Sequence, residues 1–561
     1  GKGLIKDIKS DLLFSRNILN YKLNVNKNHK FTFMGAFEFE KSNQESFSVS
    51  TSGYVDETTG INDISKALVS DTPESFRESS TRASVLSRIN YTLKNRYLFT
   101  TSFRADGTSK FRNDKWGYFP SAAFAWKMNN EKFMKKLRDI SEAKFRLSAG
   151  ITGNDRIPIG VAYNQATSTD YASGGALIKG ISSTYIANND LTWETTTQFD
   201  AGLDLGFLKN RISATFDVYY KKTNDLLFNA EVRTSSGQAT QWINIGEIEN
   251  KGVEFSLNST NIQVGKFRWE TNLNFTMNQN KILSLGNVNQ TPISAGGSHL
   301  RDVAVLKVGQ AIGTGYGYVF DGIYQFEDFS SIVDANNNPV ALNDIDQSNL
   351  GLYRFTLANG VTSIAGRTVR VGDFKYKDLN GDGIVDLNND RTIISQSNPK
   401  HFGGITNLFA YNNFELSFLL RWSYGNQVLN GSRVNMESGD QNQFNLTKDY
   451  WYNRWTPENP SNQYGSILNN GSKDVSSYYV EDASYLRLQN INISYSLPTK
   501  FLQKYNISQI KFFAVADNLK VWTKYSGLDP EVNFNNPSIT GLDRLVYPRS
   551  TTFTFGFNVN F

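Results

Sequence analysis

The feature that most constrains this chain is an alternation of spacing. Segments with two distinct faces are joined in turn by very short and very long connections, from near residue 16 to the last residue. The segments 16–26 and 30–41 are separated by NKNH, 83–93 and 97–105 by KNR, 195–206 and 211–221 by FLKN, and 402–410 and 414–422 by YNN. IQVGK separates 248–259 from 267–278. A lysine-rich turn containing EKFMKKLRD joins 116–127 to 144–152, PTKFLQKYNIS joins 485–497 to 510–519, and 549–561 ends the chain. Between these pairs lie a polar stretch over 42–82, then 153–193, 279–401, 424–480 and 520–548, all read as loops.

Within each segment the period is two, as in a strand whose side chains alternate between faces. Phe31, Phe33, Gly35, Phe37 and Phe39 oppose Thr32, Met34, Ala36 and Glu38, and Phe267, Trp269, Leu273, Phe275 and Met277 oppose Arg268, Glu270, Asn272 and Asn274. In 549–561 the residues Phe553, Phe555, Phe557, Val559 and Phe561 alternate with Thr554, Gly556, Asn558 and Asn560. Successive antiparallel strands deliver their connections to opposite rims. A sustained short–long alternation therefore puts short turns on one rim and long loops on the other, the pattern of outer-membrane barrels. Sandwiches and propellers give no reason for it. The expected fold is an all-β transmembrane antiparallel barrel of about fifteen strands, with long extracellular loops, short periplasmic turns and little helix.

Composition agrees. Hydrophobic residues are only 39% and the mean hydropathy is −0.43, yet there are 39 Phe and 27 Tyr among 561 residues. No run approaches the ~18 apolar residues of a spanning helix, so any membrane is crossed by strands. An odd count near fifteen, where single-chain bacterial barrels have even numbers, together with a start at GKGLIKDIKS that shows neither signal peptide nor methionine, reads as a chain whose beginning lies elsewhere. The last strand would then either be unpaired on one side or pair with a polypeptide outside this chain.

Other function classes are poorly served. The net charge is +5 with scattered basic residues, and the densest knot, Lys132, Lys135, Lys136 and Arg138, reads as a solvated turn or short helix rather than a nucleic-acid face. There is no cysteine, and only His29, His299 and His401 carry imidazoles, without metal or triad spacing. GYGYVFDG at 315–322 lacks the lysine of a phosphate loop and is read as a loop. Glu247 with Glu249, and Glu481 with Asp482, read as lumen or loop acids rather than a glycosidase pair.

Several junctions resemble the SusC/RagA-like family of TonB-dependent outer-membrane transporters of Bacteroidetes. They include FRADGTSKFRNDKWGYFPSAAFAW (103–126), FRLSAGITGNDRIPIG (145–160), LTWETTTQFDAGLDLGFLKNRISATFDVYYKKTNDLL (191–227), NIGEIENKGVEFSL (244–257), VGDFKYKDLNGDGIVDLNNDRTIISQSNPKHFGG (371–404), VEDASYLRLQNINISYSLP (480–498), VWTKYSGLDPEVN (521–533) and YPRSTTFTFGFNVNF (547–561). The resemblance implies a 22-stranded barrel with a plugged lumen, of which residues 1–561 look like the C-terminal two-thirds, without plug, TonB box or signal peptide. It implies import of oligosaccharides or peptides without covalent chemistry. The partners it implies are a SusD-like surface lipoprotein, the TonB–ExbB–ExbD complex, outer-membrane lipid, and pairing of two such importer units, with no nucleic acid. Two other readings stay open: a secreted all-β glycan-binding or glycan-cleaving protein, and a TonB-dependent iron-chelate or cobalamin receptor.

The sharpest local motif is Asp378-Leu379-Asn380-Gly381-Asp382-Gly383-Ile384-Val385-Asp386. It has oxygen ligands at positions one, three and five, glycine at six and an acid at nine, as in the front of a calcium loop. Position twelve is Asn389, so Asp390 would serve through a one-residue bulge. Either a structural Ca2+ bound by Asp378, Asn380, Asp382, Asp386 and Asp390, or an Asx-rich loop that satisfies itself, fits these residues; no cofactor is required. Aromatic and amide residues crowd the long loops. Trp422, Tyr424, Asn426, Trp451, Trp455 and Tyr478, with Tyr452 and Tyr479, are candidates to stack on and hydrogen-bond a glycan, or else members of an aromatic girdle.

Overall fold

The computed structural model describes the chain except residues 56–61, 164–165, 184–185, 233, 239, 296–299, 342–343, 347–351, 438–444, 468–473, 533–535 and 537. His299 lies outside the described residues. Two compact units divide it: Gly1–Phe207 with Asp217–Glu249, and Leu208–Phe216 with Asn250–Phe561.

In the first unit, β1 (Lys2–Asn24), β2 (His29–Tyr54), β3 (Glu74–Leu93), β4 (Tyr97–Thr108), β5 (Trp116–Lys127), β6 (Ile140–Asn154) and β7 (Glu194–Phe207) each pair antiparallel with the next. The tight turns have the chemistry such hairpins need. Lys94 and Asn95 sit at φ 51° and 53°, the doubly positive backbone whose twist matches the strands it joins. Strands β8 (Ile212–Asn224) and β9 (Glu247–Val264) contain unit boundaries. In the second unit, β10 (Phe267–Ser284), β11 (His401–Tyr411), β12 (Phe414–Tyr424), β13 (Tyr485–Ser496), β14 (Gln509–Thr523) and β15 (Thr552–Asn560) pair antiparallel in the same sequential way. All fifteen expected segments are strands.

The two faces divide as the alternation requires. In the first unit Phe37 stands beside Val85, and Phe103 lies on the same face. These side chains are 49%, 50% and 46% exposed, so the apolar face is turned outward. One residue along, Glu38 takes the Arg16 Nε at 2.5 Å and the Arg104 Nη2 at 3.1 Å, while the Arg104 Nε reaches Asp106 at 2.8 Å. Farther along this face Arg146 bridges Asp204 at 2.9 Å and Asp217 at 2.7 Å. It passes close to Gly202, its register partner, where an added Cβ would lie 2.5 Å from the guanidinium, so a side chain there would have to displace the Arg146–Asp217 pair. A sheet that exposes phenylalanine and pairs its charges on the other face suits lipid outside and water inside.

The last strand, β15, keeps this pattern. It pairs with β14 from Asp517↔Thr552 to Gln509↔Asn560, Phe553 and Phe555 are 62% and 77% exposed, and among the described residues no strand of its unit lies along its other edge.

Three expectations need correction. The stretch 42–82 is not a loop through most of its length: β2 continues to Tyr54, Ala67–Ser70 pairs with it, and β3 begins at Glu74, while β1 starts at Lys2 rather than near 16. Where serine, glutamate and lysine occupy both faces of a strand, the period-two signal disappears although the ladder continues. The loop 153–193 carries a hairpin, Ala166–Ser173 with Ala176–Ser183. The stretch GYGYVFDG is strand as well, in Thr314–Tyr318 and Phe320–Ile323. Gly317 is there because the backbone of Val475 crosses it, with the Val475 carbonyl oxygen 2.3 Å from where a Cβ would be.

The long connections of the second unit are therefore a folded body. Residues from the β10–β11 connection (Val303, Tyr324, Val371, Phe374, Tyr376, Val385), from the β12–β13 connection (Leu429, Val434, Trp455, Tyr479) and from the β14–β15 connection (Ile539, Leu542) share one buried core. Gln427–Asn430 pairs with both Val480–Asp482 and Leu542–Asp543, tying the connections by backbone as well. Burying each large side chain stabilises by about 1.5–3 kcal/mol, enough in sum to hold segments far apart in sequence.

Candidate functional site

The loop body meets the strands at a cluster of charge. Arg421 on β12 and Arg487 on β13 are register partners, an arrangement that repels unless anions intervene. The segment before residue 533 supplies them: the Arg487 Nη2 lies 2.6 Å from Asp529 and 3.1 Å from Glu531, and Arg421 and Arg549 approach Glu531 at 3.5 and 3.4 Å. Tyr485 donates its hydroxyl to Glu531 at 2.7 Å. Arg487 is 1% exposed, so removing either partner of these pairs would leave an uncompensated buried charge. None of these residues stood out as a site by spacing, because the two arginines and their acids are brought together only by the strand register.

A second set of charges lies inside the body. Arg367 holds Asp474 at 2.6 Å, and Asp373 accepts the Arg370 backbone N–H at 2.6 Å. Burial pushes the Asp373 carboxyl up to about 7 despite that hydrogen bond and the nearby arginines. Arg433 bonds Glu437 at 2.8 Å and Glu481 at 3.1 Å and lies 4.9 Å from the Tyr478 ring. Burial, reinforced by Glu437, raises the Tyr478 phenol above its ordinary value. Each of these buried carboxylates and arginines has a hydrogen-bond partner, so the arrangement fixes loops.

The motif at 378–390 forms Asx turns. Asp378 accepts the N–H groups of Gly381 and Gly383 at 2.6 and 2.7 Å, and Asp390 those of Leu379 and Asp386 at 2.7 Å. Asp386 accepts from Asn388 and Asn389, while Asn380 donates to Asp382 at 2.9 Å. The backbone donors of Gly383 and Gly381 hold the Asp378 carboxyl below its usual range, and those of Asn389 and Asn388 do the same for Asp386. Among the described residues no three His, Asp or Glu side chains are grouped to hold a metal ion.

The aromatic candidates separate into three groups. Trp455 is 2% exposed and donates its indole N–H to Gln325 at 2.8 Å; Tyr478 packs on Phe374 and donates to Glu437 at 3.0 Å. Asn426 binds Ala483 and Ser423 to hold the start of its connection. Trp422 and Tyr424 are not in a loop but at the end of β12, where Trp422 donates to His401 at 3.2 Å and Tyr424, 54% exposed, stacks on that imidazole. Trp451 lies on the short helix Lys448–Asn453, exposed, with the Arg454 guanidinium 4.0 Å above its ring, and Tyr452 beside it is 74% exposed. Of the six, Trp451 and Tyr424 are the exposed rings, each with one face covered, by Arg454 and by His401.

Residues 7–341 match the family model described as TonB dependent receptor-like, beta-barrel. Similar curated proteins include TonB-dependent receptor P3 of Formosa agariphila, 33% identical over 98% of this chain and 52% of its own length. TonB-dependent receptor SusC of Bacteroides thetaiotaomicron is 32% identical over 87% of this chain and 44% of its own. The chain thus spans about half the length of the curated relatives it matches. Among solved structures, that of the RagAB peptide transporter superposes with a TM-score of 0.79 at 22% identity, covering 100% of this chain and 56% of the other.

Proposed function

Because this chain belongs to the TonB-dependent receptor β-barrel family, we propose that it forms wall and outer loops of an outer-membrane importer of the SusC/RagA type. The cargo would be oligosaccharides or peptides too large for porins. Its relatives are receptors rather than enzymes, which sets aside the secreted glycan-cleaving reading.

The observation that carries the proposal is the division of the strand faces. Phe37, Val85 and Phe103 stand exposed on one side, and Arg16, Glu38 and Arg104 pair on the other. Such a wall holds a polar passage in lipid. The folded loop body supports a fixed outer surface on which cargo and a SusD-like lipoprotein lid can rest, with Trp451, Tyr452 and Tyr424 as exposed aromatic contacts. The same reading makes TonB–ExbB–ExbD the energy source for import.

Deleting the gene and measuring growth on complex glycans and on peptides tests the reading. Loss of growth on one such source, restored by the gene, supports it; unchanged growth on every source contradicts it. Co-purification of a surface lipoprotein tests the partner.

A further inference from the structure

Two of the short connections carry the same chemistry. Between β5 and β6 the chain makes 3₁₀ turns at Met128–Asn130 and Met134–Lys136, and between β13 and β14 it forms a short helix, Thr499–Leu502, continued by a 3₁₀ turn, Gln503–Tyr505. The first exposes Phe133 (56%) and Leu137 among Lys132, Lys135, Lys136 and Arg138; the second exposes Phe501 (70%) and Tyr505 between and beside Lys500 and Lys504. Each is anchored from behind. Glu131, nearly buried, takes Arg96 at 2.9 Å, Tyr97 at 2.8 Å and Trp126 at 3.3 Å, and Leu502 is 4% exposed. Because Glu131 is committed to Arg96, the neighbouring lysines have no ion-pair partner among the described residues.

Unpaired cations interleaved with exposed aromatic and aliphatic side chains, at the ends of strands whose outer face is apolar, match the headgroup level of a bilayer. There the rings enter the acyl boundary and the lysine stems carry their charge to phosphate. A soluble acidic partner would account for the lysines and leave Phe133, Leu137 and Phe501 in water. We propose that each of these turns is by itself a binding site for anionic phospholipid headgroups in the leaflet it faces. Each would act as an interfacial anchor for the strands it joins. This rests on the membrane-spanning reading above.

The purified protein, in micelles containing equal phosphatidylglycerol and phosphatidylcholine, is analysed by native mass spectrometry, with heat-modifiable gel mobility recorded on the same sample. The wild type should retain phosphatidylglycerol at least roughly tenfold over phosphatidylcholine. The variant K132Q/K135Q/K136Q/K500Q/K504Q should lose that preference while remaining heat-modifiable. Lys179→Gln, in the exposed hairpin of a long connection, should not change it. Equal preference in wild type and variant, or displacement of the lipid by inorganic phosphate alone, overturns the inference while leaving the barrel intact. Absence of heat-modifiable mobility in the wild type refutes both.

Discussion

The Arg487 guanidinium lies 2.6 Å from the Asp529 carboxylate, across 42 residues of sequence, and is 1% exposed. A strand and the loop that follows its neighbour are locked by one buried ion pair, with Glu531 joining from the same loop at 3.1 Å.

Removing one partner leaves the other charge buried. Arg487→Met or Asp529→Asn should each destabilise the protein by about 3–5 kcal/mol in urea unfolding. Arg487→Lys should recover only part, because both contacts come from the terminal Nη2, which the shorter lysine side chain does not reach without a shift. Unfolding midpoints of Arg487→Met equal to wild type would show that the pair holds nothing.

The loop body should respond to pH through Asp373. Its folded-state value, up to about 7, is above the usual carboxylate value, so the folded form keeps its proton where the unfolded form has lost it. The contribution is fully present below about pH 4 and is lost as pH rises towards 7, by up to about 4 kcal/mol. Asp373→Asn, which can still accept the Arg370 N–H, should flatten that part of the profile; an unchanged slope would place the proton elsewhere.

The aromatic residues should separate by burial. Trp455→Ala empties a packed site and removes the indole bond to Gln325, and should cost about 3–5 kcal/mol, whereas Trp451→Ala should leave the unfolding midpoint within about 0.5 kcal/mol and lower cargo uptake. A Trp451 variant that unfolds early would place that ring in the core instead.

Calcium decides the role of the 378–390 loop. With the Asp378 and Asp390 carboxylates already accepting backbone donors at 2.6–2.7 Å, the unfolding midpoint should be the same in chelator and in excess Ca2+. A rise with Ca2+ would mean that these turns open to bind it.

Much of this architecture was legible in the sequence, for a physical reason. Wherever one strand face meets an apolar medium and the other a polar one, as from Phe31 to Phe39, alternation reports the strand directly. It fell silent at 41–46 of β2, where polar residues occupy both faces. It also missed the loop body, whose short strands at Thr314–Tyr318 and Phe374–Tyr376 are buried on both sides and show no period. Composition alone marked Trp455 and Trp451 alike, although only packing against Phe326 and Gln325 makes one a core residue. The Arg421–Arg487–Glu531 cluster depends on register between strands and was out of reach of local spacing.

The central claim is that this chain crosses a membrane with short turns inside and the loop body outside. Its lack of cysteine makes single-cysteine labelling direct. Asn380→Cys, in the loop body, and Asn95→Cys, in the β3–β4 turn, are exposed to a membrane-impermeant maleimide on intact cells and again after lysis. The account predicts labelling of residue 380 on intact cells and of residue 95 only after lysis. Labelling of residue 95 on intact cells, or of residue 380 only after lysis, would contradict it.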